Sequence, residues 1–389
     1  MRIIIYLLFV FGFVFSCCTR SIQEQTPIPL IAVNIDRMET LELSDFFADI
    51  TYVPLADSFL VSTIERAKIY EDKLFLLTNE SVLVFDVNSG RCLSRVKHLG
   101  GSPDECISLY DMLYDKNENV IELLDEQKVL RYGFDGHFIS EFKTSFTSFS
   151  FHKITPSTYI FYNNNMISDH TDCNLVRYDA NALKITASYF PIDKHLASYF
   201  FTTNTSSFSS ETNPSFHFCP SDTIYGFTDD YEPYAKYVLD FGKHHTPSRF
   251  YEEDYSDILD FSTKAVRQEY IYLFGNFYEN NYMAALFIRN DKNVYWALYD
   301  KNKQTVHAID RWRDDHHSRT FIPLTYGNGP FIMDETYLYF FLQPDQLIDL
   351  MENENRSALQ ENQLDTLYHS PVFSEQSNPI IVKCKFKNL

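Results

Sequence analysis

The densest set of side chains with metal or sugar chemistry is Arg311-Trp312-Arg313-Asp314-Asp315-His316-His317-Ser318-Arg319. Imidazole and carboxylate together suit several divalent ions. Adjacent histidines in an extended chain point to opposite faces, however, so His316 and His317 make a poor ligand pair and the stretch reads as a solvated loop. His244-His245 has the same weakness. Trp312, beside arginines, offers a stacking face for a sugar ring; the alternative is an anchor onto a neighbouring element. The Gly100-Gly101 pair is too short to cradle a nucleotide, and nothing resembles a G-x-S-x-G elbow, a HExxH helix or a Walker loop. No catalytic residue, metal ligand or cofactor is assigned.

The cysteines fall into two groups. Cys92, Cys106, Cys173, Cys219 and Cys384 are widely spaced and form no CxxC pair, so zinc is not expected. Their odd number and wide spacing favour buried free thiols over disulfides. Cys17 and Cys18 stand at the end of a different feature. Met1 and Arg2 precede an apolar run from Ile3 to Phe15 and then Ser16, the pattern of a secretory signal. The run is too short for a bilayer span, which needs about 20 apolar residues. Val14-Phe15-Ser16-Cys17 resembles a bacterial lipobox, which implies that Cys17 carries the lipid anchor, with Cys18 as the alternative. Residues 1–16 are then a signal peptide and 17–40 a tether, whose stretch Thr19 to Leu30 holds Ser21, Gln23, Gln25, Pro27 and Pro29. The expected location is the outer membrane. No acidic run follows the cysteines, so the periplasmic and cell-surface faces both stay open.

The elements that must position any site are strands. Of 389 residues, 45% are hydrophobic and 22% charged, the balance of a folded globular chain. Phe (35) and Tyr (27) suit pleated surfaces. Only 11 glycines are present, so turns fall to Asn and Asp. The net charge of −20 argues against nucleic acid, which needs clustered Lys and Arg, and against docking of the body on anionic lipid.

A unit of apolar residues, an aromatic, Asp, a turn and another strand recurs along the chain. It appears as Val84-Phe85-Asp86-Val87-Asn88, Tyr132-Gly133-Phe134-Asp135-Gly136, Val176-Arg177-Tyr178-Asp179-Ala180-Asn181 and Leu298-Tyr299-Asp300-Lys301-Asn302. Val238-Leu239-Asp240-Phe241-Gly242 is a weaker copy. The Asp is expected to accept backbone N–H groups of the turn, and Asn or Gly to take its positive φ. Repeats of about 40 to 50 residues with several strands each are the signature of propeller blades. The expected fold is therefore all-β: a six-bladed β-propeller over residues 41–389. Its blades are expected at about 64–97, 107–143, 147–191, 215–242, 270–310, and 320–342 with 379–387. Ile50 to Leu55 would supply the missing strand of the sixth blade and close the ring. Ser248 to Gln268 and Gln343 to Ser377 read as partly helical insertions, either lids or decorations on a blade edge.

Several segments, in this order, carry a family resemblance: Asp49 to Leu55, Asp125 to Phe142, Ser221 to Tyr225, Tyr237 to Lys243 and Asn378 to Val382. The chain resembles the six-bladed β-propeller lipoproteins of Bacteroidetes, whose blades are related to NHL-type propellers. Members commonly carry a loop ending Gly-Pro-Gly-Glu-Tyr; here Leu99 to Cys106 has lost glycine and tyrosine, which removes support for a ligand role of that loop. The resemblance implies a fold and a location more than an activity. The first functional expectation is a non-enzymatic binding or scaffold module with a glycan, peptide or envelope-protein partner. The alternative is a channel-mouth enzyme (lactonase, lyase or glycan hydrolase) with a calcium or carboxylate site. Propeller chemistry usually sits at one channel mouth on loops that join blades, here His98 to Glu105 and Asp193 to Asn213.

Overall fold

The computed structural model describes residues 27–387, apart from 98, 103, 198, 200, 202–206, 210–213, 282, 291–292, 316–320, 324–330 and 353–362. The signal peptide, Cys17 and Cys18 lie outside the described residues. Middle strands are apolar where they are covered on both faces. Lys73–Thr78 and Ser81–Asp86 are nearly continuous buried runs. The outer strand Phe138–Lys143 is more exposed and alternates with polar residues.

These strands form six antiparallel sheets. Blade one is Ile64–Tyr70, Lys73–Thr78, Ser81–Asp86 and Cys92–Lys97. Blade two is Leu109–Asp115, Val120–Asp125, Lys128–Gly133 and Phe138–Lys143. Blade three is Ser150–Lys153, Thr158–Tyr162, Cys173–Asp179 and Lys184–Pro191. Blade four is Phe208–Ser209, Ser215–Phe216, Thr223–Phe227 and Pro233–Asp240. Blade five is Leu273–Glu279, Met283–Asn290, Asn293–Asp300 and Thr305–Arg313. Blade six is Ile332–Met333, Tyr337–Leu342, Ile380–Phe386 and, from the N-terminal side, Phe47–Pro54. The innermost strand of every blade touches those of both neighbours, so the blades form a closed ring.

The closing strand is the predicted one. Phe47–Pro54 pairs antiparallel with Ile380–Phe386, with Tyr52 opposite Val382. Its free edge is covered by an insertion: the Gln363 amide donates to Tyr52 O at 2.6 Å and accepts from Tyr52 N at 3.1 Å. Leu347 and Leu364 of that insertion are buried in the core that blade six shares with blade five. The helices Pro344–Glu352 and Gln363–Tyr368 thus decorate a blade edge. Ile258–Arg267 is the main helix of the other insertion and buries Phe261 and Ala265.

Part of the stretch read as tether is sheet. Leu30–Ala32 lies parallel on the outer strand of blade four, and Glu39–Glu42 parallel on that of blade five. The cause is local apolarity: Ile31 and Val33 are buried in the core between these two blades. The strap also protects two outer edges from pairing with other chains.

The repeated Asp behaves as expected, with two corrections. Asp86, Asp179 and Asp300 each accept two backbone N–H groups from the residues two and three further on. Asp240 differs: it ends the outer strand of blade four, not the third, so it is not a copy in the same register. A positive φ falls on Gly136 directly after Asp135, as expected for Gly, but after Asp86, Asp179 and Asp300 it falls four residues on, at Gly90, Leu183 and Gln304, and not on the Asn.

A candidate site at the mouth of the channel

One cavity of about 310 Å³ is lined by residues from all six blades. They come from the C-terminal halves of the innermost strands and the turns that follow: Lys68 to Tyr70, Leu113 to Asn117, Phe151 to Pro156, Phe208, Tyr278, Ile332 and Met333. The cavity therefore opens among the within-blade turns, and of the blade-joining loops where the sequence placed any chemistry, Asp193 to Asn213 contributes Phe208.

The charges in its wall tie neighbouring blades. Lys68 of blade one sits 2.9 Å from Asp111 of blade two and donates to Met112 O at 2.7 Å. Asp111 also accepts from Ser150 Oγ of blade three at 2.6 Å and from Phe151 N at 3.2 Å. Burial alone would raise the Asp111 carboxyl; the charges of Lys68 and Arg66 outweigh it and hold the group below its usual range. Lys153 of blade three reaches Asp115 at 2.7 Å and Glu122 at 2.6 Å, both on blade two. Glu122 also accepts from Arg131 and from Tyr159 OH, each at 3.2 Å. A similar tie joins blades four and five: Glu279 pairs with Lys236 and, at 2.8 Å, with Lys301. Burial works against ionisation of Glu279, and these two lysines reverse that effect.

His152 is the exception to this pairing. It lines the cavity, is 4% exposed, and lies near the rings of Phe208 and Tyr231. Burial, aided by the charge of Lys68, pushes its pKa down to about 4, so the ring is neutral at pH 7. Its Nε2 has no hydrogen-bond partner among the described residues. Across the channel Tyr278 is held protonated by burial and by the charge of Asp111.

A proton-transfer site needs a group with a free lone pair and a pKa near the working pH. Asp111, Asp115 and Glu279 are held ionised by their lysine partners, and Glu122 already accepts from Lys153. The wall is better suited to recognising a ligand than to moving protons.

The residues singled out from sequence are not brought together here. Trp312 is fully buried against Phe46, Phe47 and Trp296, which excludes sugar stacking and makes it an anchor between elements. The solvated-loop reading of its neighbours is also corrected where they are described. Asp314 is buried and accepts from Tyr52 OH at 2.8 Å, and Asp315 accepts from Ser44 N. His316 and His317 lie outside the described residues. His244 is buried and bonds Asp36 of the strap and Glu269 O, while the exposed His245 faces Asp222. Asp193 to Asn213, read as a blade-joining loop, contains the innermost strand of blade four, with Phe208 in the cavity wall. Cys106, Cys173, Cys219 and Cys384 are buried free thiols and Cys92 a half-buried one. Among the described residues no three His, Cys, Asp or Glu side chains are grouped to hold a metal. No described helix is long and apolar enough to cross a membrane.

The sequence reading missed Lys68, Asp111, His152 and Lys153. A signal was present: Ala67-Lys68-Ile69, Tyr110-Asp111-Met112 and Phe151-His152-Lys153 put polar groups inside apolar first strands.

Residues 26–385 match the model of a family described as Domain of unknown function (DUF4934). The chain belongs to this family. Among solved structures, an exported-class protein of Bacteroides fragilis is similar, at 19% identity and a TM-score of 0.71, covering 92% of this chain and 99% of that one. A member of the DUF4221 family from Bacteroides vulgatus matches at 10% identity and a TM-score of 0.48, covering 88% and 98%. No curated protein matches. The DUF4934 chain is thus a six-bladed propeller of a kind found in Bacteroides, as the resemblance of its segments implied.

Proposed function

We propose that this DUF4934 protein is an exported lipoprotein of the outer membrane and that its propeller is a non-enzymatic binding module with the ligand seated at the channel mouth. The observation that carries the binding reading is the cavity to which every blade contributes, whose lining lysines Lys68 and Lys153 already pair with Asp111 behind them and Asp115 beside them. A ligand there is a small molecule, or the end of a glycan or peptide, because the volume sits at the lower end of ligand pockets. The calcium form of the enzyme alternative draws no support, since those carboxylates are committed to lysines. One feature favours an enzyme, the uncommitted Nε2 of His152.

Export and anchoring rest on the signal-like N-terminus, with Cys17 carrying the lipid and Cys18 as the alternative. Metabolic labelling with an alkyne fatty acid tests this: Cys17→Ser abolishes the label and Cys18→Ser retains it. Label lost only in Cys18→Ser moves the anchor, and no label in the wild type removes it. For the body, a ligand recovered chemically unchanged after prolonged incubation supports the binding module. Product released by the wild type and not by His152→Phe establishes the enzyme.

A further inference from the structure

The cavity presents ammonium groups on a molecule that is acidic as a whole. The chain as a whole has a net charge of −20. The cavity, by contrast, is lined by Lys68, Lys116 and Lys153 against the single carboxylate of Asp115. The compensating Asp111 and Glu122 are fully buried behind the lysines and do not line the space. The ammonium groups of Lys68 and Lys153 therefore stand between the cavity and the buried carboxylates of Asp111 and Glu122 that pair with them.

A second observation points the same way. A buried polar atom without a partner is costly, and Nε2 of His152, a residue of this wall, is such an atom among the described residues. A neutral imidazole carries one N–H, and in the tautomer with that hydrogen on Nε2 the atom is a donor awaiting an acceptor. Burial keeps the ring neutral, so the site gains a donor without a further fixed charge. Opposite the lysines of blades one to three the lining is apolar or aromatic, with Phe208, Tyr278 and Met333 from blades four, five and six.

From this layering we infer that the channel mouth binds a small organic oxyanion, a carboxylate or phosphate monoester carried on an apolar or ring-bearing body. The oxyanion is met by Lys68, Lys116, Lys153 and the Nε2–H of His152, and the body lies on Phe208, Tyr278 and Met333. This rests on the reading of the channel mouth as the binding site.

The test is calorimetry and thermal shift on the purified full-length chain. The probes are ring-bearing carboxylates such as phenylacetate, each paired with its neutral amide, and phenyl phosphate paired with benzyl alcohol. The expected result is binding of the anions with at least a tenfold loss for the neutral partner. Preference between carboxylate and phosphate identifies the source of the oxyanion. Lys116→Ala, at an exposed turn, weakens binding several-fold, and His152→Phe weakens it tenfold or more with the fold retained. Equal binding of neutral and anionic partners overturns the oxyanion and leaves the cavity reading standing. Anion binding unchanged in both variants overturns the cavity reading as well. No binding by any probe overturns the oxyanion inference.

Discussion

Two histidines set how this fold responds to mild acid. His152 and His217 are both buried, and burial takes each pKa down to about 4. Unfolded, each has a pKa near 6.5, so the unfolded chain takes up the proton first. The stability gained by keeping them neutral is complete above pH 6.5 and is lost as the pH falls from 6.5 towards 4. At pH 5 the loss is about 2 kcal/mol for each ring. The carboxylates act in a different window. Burial opposes the ionisation of Asp111, Asp115 and Glu279, but their lysine partners lower all three pKa values. Their contribution is present above about pH 4, the unfolded value, and disappears only below it. Urea unfolding at pH 7 and pH 5 separates the two. The wild type loses stability between these pH values, and the double variant His152→Phe, His217→Phe loses about 4 kcal/mol less. An equal loss in both proteins means that these rings are not the groups that titrate.

At the scale of the element, the Asp turn shows what a sequence displays and what it hides. Its capping chemistry was legible, because Asp and its acceptor role belong to one residue and its near neighbours. The position of the positive φ was not, because Leu183 and Gln304 occupy it as well as Gly90. Only their neighbours distinguish them. A Cβ on Gly90, at φ +70°, would stand 2.0 Å from Pro54 O of the ring-closing strand. Leu183, at φ +48°, is 59% exposed and gains little burial to offset its strain. The same chemical change in reverse directions therefore has opposite signs. Gly90→Ala destabilises by about 2 kcal/mol or more, from left-handed strain and the clash. Leu183→Gly stabilises by about 0.5–1 kcal/mol, as relief of strain exceeds the added freedom of the unfolded chain. Urea midpoints check both, and a shift of the same sign in the two variants contradicts the account. The channel site was hidden for a related reason. Lys68, Asp111 and His152 stand more than 40 residues apart in sequence, and their first strands converge only when the ring closes.

Closure is the property of the whole molecule on which both the core and the site depend. The ring joins on a single strand pair, Phe47–Pro54 against Ile380–Phe386, drawn from opposite ends of the described chain. Without that pair, blade six loses its outer strand and exposes the edge of Ile380–Phe386. The buried Tyr52–Asp314 bond between blades six and five goes with it. The strap before it has a smaller task. Leu30–Ala32 and Glu39–Glu42 add outer strands to blades that are already complete. Truncations should divide along this line. A chain starting at residue 27 keeps the wild-type melting temperature, one starting at 43 melts several degrees lower but still cooperatively, and one starting at 55 does not fold. Trp296 and Trp312 report the outcome, because both lie in the core that spans blades five and six. Their fluorescence shift should coincide with loss of β-sheet circular dichroism in the first two chains. If the chain starting at 55 retained a cooperative transition with buried tryptophans, closure by residues 47–54 would not be what holds the ring, and the convergence of six blades on one cavity would need another cause.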